Sequence, residues 1–172
     1  MEATHDGGCL CGDLRLSARG TPLRINVCHC TFCQRMTGTA FHTGVTFPRE
    51  AVRFEGATPK VYEHVSDESG HSLFLHSCPR CATTVAMALS RFPDVWAVLR
   101  GAFDDPDRFP PERHMYVRSA QRGTLLPAAT ECYAGFRVAS DGAPLPAATF
   151  EVPMVAGGRG RPPEPASGTG QS

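Results

Sequence analysis

The chain has 172 residues, a length typical of one domain that can bury a core without the help of disulfide bonds. Its 17 Lys and Arg balance its 17 Asp and Glu, so the basic excess expected of a protein that binds nucleic acid or an anionic membrane surface is missing. The longest apolar runs span about five residues, against the roughly 20 of a transmembrane helix, and we expect neither a nucleic-acid nor a membrane partner.

Strands are the elements that the sequence predicts most often. Apolar residues alternate with polar ones or form short β-branched runs, and no segment keeps a 3.6-residue apolar period over three turns. Turns rich in Gly, Pro, Ser and Asp separate these runs, a pattern typical of antiparallel meanders. In chain order we predict strands at 14–16, 41–47, 51–54, 60–65, 72–77, 83–89 and 95–99, and short helices at 31–37 and 105–109. The predicted fold class is mainly β.

The two ends of the chain differ in composition from its middle. Residues 153–172 hold 5 Gly, 4 Pro and no aromatic residue, so a disordered tail is predicted at 152–172. We expect residues 1–6 to be flexible as well, which leaves one folded domain at 7–151. The first residues show neither the cationic region nor the apolar core of a secretory signal, and we therefore expect a cytoplasmic protein.

The eight cysteines are the most informative residues of the composition. Thiols in a reducing compartment are poor candidates for disulfides and good candidates for metal or redox chemistry. Seven of the eight fall into three clusters, and Cys132 stands apart, as expected of a small buried apolar side chain. The clusters are Cys9 with Cys11, Cys28 with Cys30 and Cys33, and Cys78 with Cys81.

The spacing of the clusters predicts how they divide between two metal ions. A structural zinc takes four protein ligands, whereas a catalytic zinc takes three and keeps one position open. The cluster at 28–33 can reach one ion from a single loop, while each Cys pair supplies two ligands and needs the other pair. We therefore predict one four-Cys structural zinc site, Cys9, Cys11, Cys78 and Cys81, and one three-Cys zinc site with an open position, Cys28, Cys30 and Cys33.

Other interpretations of these residues stay open. The four-Cys set could hold iron, or remain without metal as buried thiols. The three-Cys set could be a second structural zinc site completed by His29 or another histidine, or a dithiol redox pair without metal. The more distant histidines are expected mostly on strand surfaces and not as ligands; they are His42, His64, His71, His76 and His114.

Three motifs together resemble those of a known family. They are Gly7-Gly-Cys-Leu-Cys-Gly12, Cys28-His-Cys-Thr-Phe-Cys-Gln-Arg-Met-Thr-Gly38 and Cys78-Pro-Arg-Cys81, in this order. The pattern resembles the glutathione-dependent formaldehyde-activating enzyme (Gfa) family, also called the Gfa/centromere protein V group, over about residues 7–136. The resemblance implies an Mss4-like fold of folded antiparallel β-sheets with few short helices. It also implies that the four-Cys zinc is structural and the three-Cys zinc catalytic.

Two positions depart from the family pattern. Ala82 stands where the family usually has Gly after the last zinc Cys. Because Gly accepts a positive φ at a lower cost, we expect a different turn there. A Pro-Trp pair often found further along the chain is replaced by Ser-Ala-Gln-Arg-Gly-Thr at 119–124, and a different substrate follows if this region shapes the pocket.

The resemblance implies an S-(hydroxymethyl)glutathione synthase activity. In this carbon–sulfur lyase reaction, a small thiol such as glutathione adds to formaldehyde or a related electrophile. A three-thiolate zinc with an open position suits the capture of a thiol, and Arg35 and His29, beside the ligands, are candidates to meet a carboxylate of the substrate. The alternatives are a non-enzymatic zinc-stabilised interaction module and a thiol-based metal or redox sensor.

Overall fold

Strands form most of the regular structure in residues 2–139 and 141–166, which are the residues that the computed structural model describes. This part of the chain has one α-helix, α1 at Thr31–Thr37, and 3-10 turns at Arg49–Ala51, Arg100–Ala102, Pro106–Arg108 and Val117–Ser119. Every helix in it is too short or too polar to cross a lipid bilayer. The strands in chain order are β1 Thr4–Gly8, β2 Leu14–Arg19, β3 Arg24–Cys28, β4 His42–Pro48, β5 Val52–Gly56, β6 Lys60–Val65, β7 Ser72–Ser77, β8 Thr84–Leu89, β9 Phe92–Leu99, β10 Arg113–Met115, β11 Leu125–Leu126, β12 Glu131–Cys132, β13 Met154–Val155 and β14 Glu164–Pro165. The predicted mainly β fold with few short helices is confirmed.

The chain divides into two compact units. The first consists of Met1–Ile25 and Thr43–Pro110, and the second of Asn26–His42 and Pro111–Ser172. Each unit therefore takes residues from both halves of the sequence. The four-Cys set belongs to the first unit and the three-Cys set to the second.

Antiparallel pairing builds the first unit. Its strands pair in the orders β1-β2-β5 and β4-β9-β8-β7-β6. On β2 the side chains of Leu14, Leu16 and Ala18 are buried while the residues between them are half-buried, because successive residues of a strand face opposite sides. These buried side chains belong to one hydrophobic core together with Phe47 and Val98.

Strand β1 corrects the expectation that residues 1–6 are flexible, since it begins at Thr4. All five of its residues pair with β2, from Thr4 opposite Arg19 to Gly8 opposite Arg15. A Cβ atom at Gly7 would lie 2.2 Å from the carbonyl oxygen of Ala102, so this strand fits only because its closest residue has no side chain. The sequence of β1, Thr-His-Asp-Gly-Gly, shows no alternation of apolar and polar residues, and the strand was therefore not predicted.

Parallel pairing in the second unit differs from the predicted antiparallel pattern. Strand β10 lies between β3 and β12, with His114 opposite Val27 on one side and Cys132 on the other, and both pairs run parallel. The paired stretches are two or three residues long, too short for an alternating pattern to be recognised.

Part of the segment predicted as a disordered tail is paired. Strand β13 lies between β11 and β14, and Ala156 after it is 4% exposed. The amide of Ala156 donates to the carbonyl of Thr124, and the amide of Ala166 to that of Pro153. These short backbone bonds order a Gly- and Pro-rich segment without a core of its own, which composition cannot reveal. The last six residues of the predicted tail, 167–172, lie outside the described residues.

Candidate metal centres

The four-Cys set lies where two turns of the first unit meet. Cys9 and Cys11 follow β1, Cys78 and Cys81 follow β7, and the four Sγ atoms all lie within 4.8 Å of one another. The Sγ atom of Cys11 is 3.5 Å from that of Cys9 and 3.7 Å from that of Cys78. Four sulfurs at about 2.3 Å from a tetrahedral zinc stand about 3.8 Å apart. The donor set therefore fits zinc in both chemistry and spacing.

Each of these turns is closed by backbone hydrogen bonds. In the first, the amide of Gly12 donates to the carbonyl of Cys9, and Gly12 has a φ of +80°. In the second, the amide of Ala82 donates to the carbonyl of Cys78 at 3.0 Å, and Ala82 has a φ of +59°. Ala82 thus adopts the left-handed conformation that suits Gly, so the conformation is kept although the residue differs.

Protein donors favour the thiolate form in this set. The amide of Leu14 donates to Sγ of Cys9 at 3.3 Å. The hydroxyl of Thr83 lies 3.2 Å from Sγ of Cys81 and lowers the pKa of this thiol to about 5. Metal ligation needs deprotonated thiols, so both contacts prepare the set for a cation.

The three-Cys set lies at the junction of β3 and α1 in the second unit. Cys28 ends β3, Cys30 is the N-cap residue of α1, and Cys33 lies in the first turn of that helix. The amide of Cys33 donates to Sγ of Cys30 at 3.4 Å, and the three Sγ atoms lie within 4.8 Å of one another. Cys33 is buried, while Cys28 and Cys30 are half-buried.

One of these three thiols is strongly acidic. Hydrogen bonds from the thiols of Cys28 and Cys33 lower the pKa of Cys30 to about 3. The same sharing of hydrogen bonds raises the pKa values of Cys28 and Cys33, and burial raises them further. The shared hydrogen bonds therefore favour a thiolate within the set, and metal ligation would require all three thiols to lose their protons.

Among the described His, Cys, Asp and Glu side chains, the group that converges at this point consists of these three thiols. His29 is not a member of this group; its Nε2 atom lies 2.9 Å from Nδ1 of His114. The donor set fits a zinc ion with one position left for another ligand.

Three histidines of the second unit are buried, and for two of them, His42 and His114, burial corrects the expected position on a strand surface. His29, His42 and His114 are 0%, 5% and 5% exposed. Burial lowers the pKa of His29 to about 4, with a further contribution from His114, and burial lowers that of His42 to about 4. Among the described residues, Nε2 of His42 has no hydrogen-bond partner. The expected surface position holds best for His71, which is exposed.

Gln34 is a residue that the sequence did not single out. It is 7% exposed, and its Nε2 atom donates to the carbonyl oxygens of His29 at 2.7 Å and Ser119 at 2.9 Å. Its Oε1 atom accepts from Nε2 of Gln121 at 3.1 Å. A buried glutamine one residue after a zinc-type Cys has no recognised sequence signal. Arg35, the next residue, is exposed on α1.

The fold and the two thiol sets define a mainly β protein with two groups of cysteines that could each hold a metal ion. A sequence profile of the family described as glutathione-dependent formaldehyde-activating enzyme (GFA) matches residues 4–119. The chain belongs to this family, as its motifs indicated. A search of the curated proteins gave no match. A crystal structure of a Rhodobacter sphaeroides protein is similar at 16% identity and a TM-score of 0.46, covering 58% of this chain and 87% of that one.

Proposed function

We propose that this chain is a zinc-dependent carbon–sulfur lyase of the S-(hydroxymethyl)glutathione synthase type. It would add a small thiol such as glutathione to formaldehyde or a related electrophile, with Cys28, Cys30 and Cys33 as the catalytic zinc ligands. Cys9, Cys11, Cys78 and Cys81 would hold the structural zinc. Membership of the GFA family supports a glutathione-dependent formaldehyde-activating role in general.

A single observation carries the proposal, namely that three thiols and no fourth protein donor converge within 4.8 Å among the described residues. A closed structural site would need that fourth donor. When bound there, zinc supplies one further coordination position at which a thiol loses its proton near neutral pH. This arrangement supports an enzyme more directly than a purely structural or redox role.

The proposed reaction forms one carbon–sulfur bond. The sulfur of the substrate thiol, as thiolate, attacks the carbonyl carbon of formaldehyde. The electron pair of the C=O double bond moves to oxygen, and this oxygen takes up the proton that the thiol released. Cys30, the N-cap residue of α1 whose Sγ atom accepts from the amide of Cys33, would be one of the three ligands that hold the zinc ion.

The two residues expected to meet a substrate carboxylate have different surroundings. Arg35 is exposed on α1, so its guanidinium is available to a glutathione-like carboxylate, and we retain it as the proposed substrate contact. His29 is fully buried with its ring against His114, which favours a role in holding the loop. We further propose a cytoplasmic location, since clustered thiols stay reduced there.

The test combines metal analysis with an exchange measurement. Wild type should contain two zinc equivalents and accelerate the exchange of hydroxymethylglutathione with glutathione, followed by NMR. Cys30→Ser should lose one equivalent and this acceleration. Cys132→Ser, a change of a thiol outside both sets, serves as the matched control and should lose neither. Loss of one zinc from Cys30→Ser with an unchanged exchange rate would reject the proposal.

A further inference from the structure

We propose that Gln34 is a positioning residue of the three-Cys site. Its side chain fixes the backbone of His29, the residue between the ligands Cys28 and Cys30. This inference rests on the proposed assignment of Cys28, Cys30 and Cys33 to a zinc ion. Gln34 does not contact the substrate in this proposal. It acts through the backbone of His29.

The ligand loop needs such support because His29 lies between β3 and α1. Its amide donates to the carbonyl of Met115 at 2.9 Å, which extends the pairing of β3 with β10 by one residue. Its carbonyl oxygen lies beyond the end of that pairing and accepts from Nε2 of Gln34 at 2.7 Å. Both backbone polar groups of His29, the residue between Cys28 and Cys30, are therefore hydrogen-bonded.

The orientation of the Gln34 amide follows from its partners. One end of the Gln34 side-chain amide faces two backbone carbonyls, those of His29 and Ser119. Carbonyl oxygens only accept hydrogen bonds. That end must be the NH₂ group, whose two hydrogens are then both used. The other end accepts from Gln121. Because all these hydrogen bonds of the buried Gln34 amide are made, its side chain is held in one orientation, and it fixes the position of the His29 carbonyl in the ligand loop.

Two of the hydrogen-bond partners of Gln34 come from the segment 119–124. Ser119 supplies the carbonyl and Gln121 the side chain that complete the hydrogen bonds of Gln34. These residues replace the Pro-Trp pair that the family pattern leads one to expect. We infer that this segment sets the shape of the ligand loop through Gln34.

The substitution Gln34→Glu keeps the shape of the side chain and removes both donors. Its carboxylate would face two carbonyl oxygens and repel them. Gln34→Met is a second, uncharged variant of similar size. Gln121→Ala is a graded variant, because it removes the partner of the Gln34 Oε1 atom and leaves both donors of Gln34 in place. The four-Cys set in the same molecule reports whether the first unit is still folded.

The first measurement is a Co²⁺ titration of the metal-free protein, followed through the sulfur-to-cobalt charge-transfer bands. We expect the Gln34 variants to bind Co²⁺ at the three-Cys set about 10- to 100-fold more weakly, with altered visible bands, while the four-Cys set is unchanged. Gln121→Ala should weaken Co²⁺ binding at the three-Cys set in the same direction but by less than the Gln34 variants. Wild-type affinity and bands in a folded Gln34 variant would overturn the proposal.

The second measurement separates this proposal from the proposed function. Alkylation of Cys33 by iodoacetamide in the metal-free protein should be several-fold faster in the Gln34 variants, because Cys33 is buried only while the loop is held. If wild type takes no metal at the three-Cys set, the proposed function fails, and faster alkylation still supports the positioning role. If neither variant differs from wild type in alkylation under those conditions, the positioning role fails too.

Discussion

The Nε2 atom of His29 lies 2.9 Å from Nδ1 of His114, and both rings are almost completely buried. The two rings lie 20° from parallel, with centroids 5.2 Å apart. Because one of the facing nitrogens must donate and the other accept, at least one imidazole proton is fixed between them. The loop that carries Cys28 and Cys30 is thereby attached to β10 through a side chain as well as through the backbone.

Removal of one imidazole should show how much the hydrogen bond between His29 and His114 contributes to the free energy of unfolding. We expect His114→Phe to lower the free energy of unfolding by about 1–3 kcal/mol, because it leaves the buried Nε2 of His29 without its partner. The double variant with His29→Phe should be less destabilised than the sum of the two single variants. Denaturant unfolding of the zinc-loaded protein measures all four members of this cycle. Additive losses would contradict a direct interaction.

The buried ring of His42 should make the protein less stable in mild acid. Its pKa is about 4 in the folded chain and 6.5 when unperturbed, so between these values the unfolded chain binds a proton that the folded chain does not. The stabilising contribution is fully present above pH 6.5 and is lost as the pH falls towards 4, at up to about 1.4 kcal/mol per pH unit. His42→Phe should unfold with a shallower pH dependence than wild type. Identical slopes in urea titrations would count against this assignment.

The turn after Cys81 offers a gain in stability. Ala82→Gly should raise the free energy of unfolding by about 0.5–1 kcal/mol, because Gly adopts a positive φ without the cost of a Cβ, offset in part by its greater freedom when unfolded. The reverse substitution, from Gly to Ala, can be made at Gly12 in the other turn of the four-Cys set. Gly12→Ala, with a φ of +80° at that position, should lower stability by about 1 kcal/mol. Thermal unfolding at fixed zinc concentration measures both, and a loss on Ala82→Gly would be the opposite result.

Chelation should remove the two zinc ions in separate phases. We expect the three-Cys set to lose its ion first, because it has one protein ligand fewer and a position at which a competitor can enter. A colorimetric chelator would record both phases. The early phase should vanish in Cys30→Ser and the late phase in Cys78→Ser, and a single phase shared by both ions would contradict two independent sites.

The sequence predicted most of the longer strands from their apolar and β-branched residues, and it predicted ligands that lie close together in the chain. The strands at 60–65 and 72–77 and the helix at 31–37 have the predicted bounds. The helix expected at 105–109 is a 3-10 turn of three residues, Pro106–Arg108, which is too short for a helical period. Strands β1 and β10 were missed because glycine contacts and short parallel pairs leave no periodic pattern. Strand β3, Arg24–Cys28, was missed as well, although its buried residues alternate with half-buried ones.

At the metal centres too, the sequence predicted the features that depend on residues close together in the chain. The division of seven cysteines into sets of four and three follows from spacing, and the sulfur atoms converge in those two sets. His114 could not be predicted as a neighbour of His29, nor Ser119 as a partner of Gln34, since the residues of each pair lie 85 positions apart in the sequence. Contacts of this kind depend on the three-dimensional arrangement of the second unit.

The interleaving of the two units along the chain has a consequence for biosynthesis. The ribosome has made every ligand of the four-Cys set once it reaches Cys81, and it completes the first unit at Pro110. Cys28, Cys30 and Cys33 emerge earlier, yet His114, Ser119 and Gln121, which support their loop, are synthesised only afterwards. The residues of the four-Cys set and of the first unit are therefore all synthesised before the residues that support the three-Cys loop, although Cys28, Cys30 and Cys33 precede Cys78 and Cys81 in the chain.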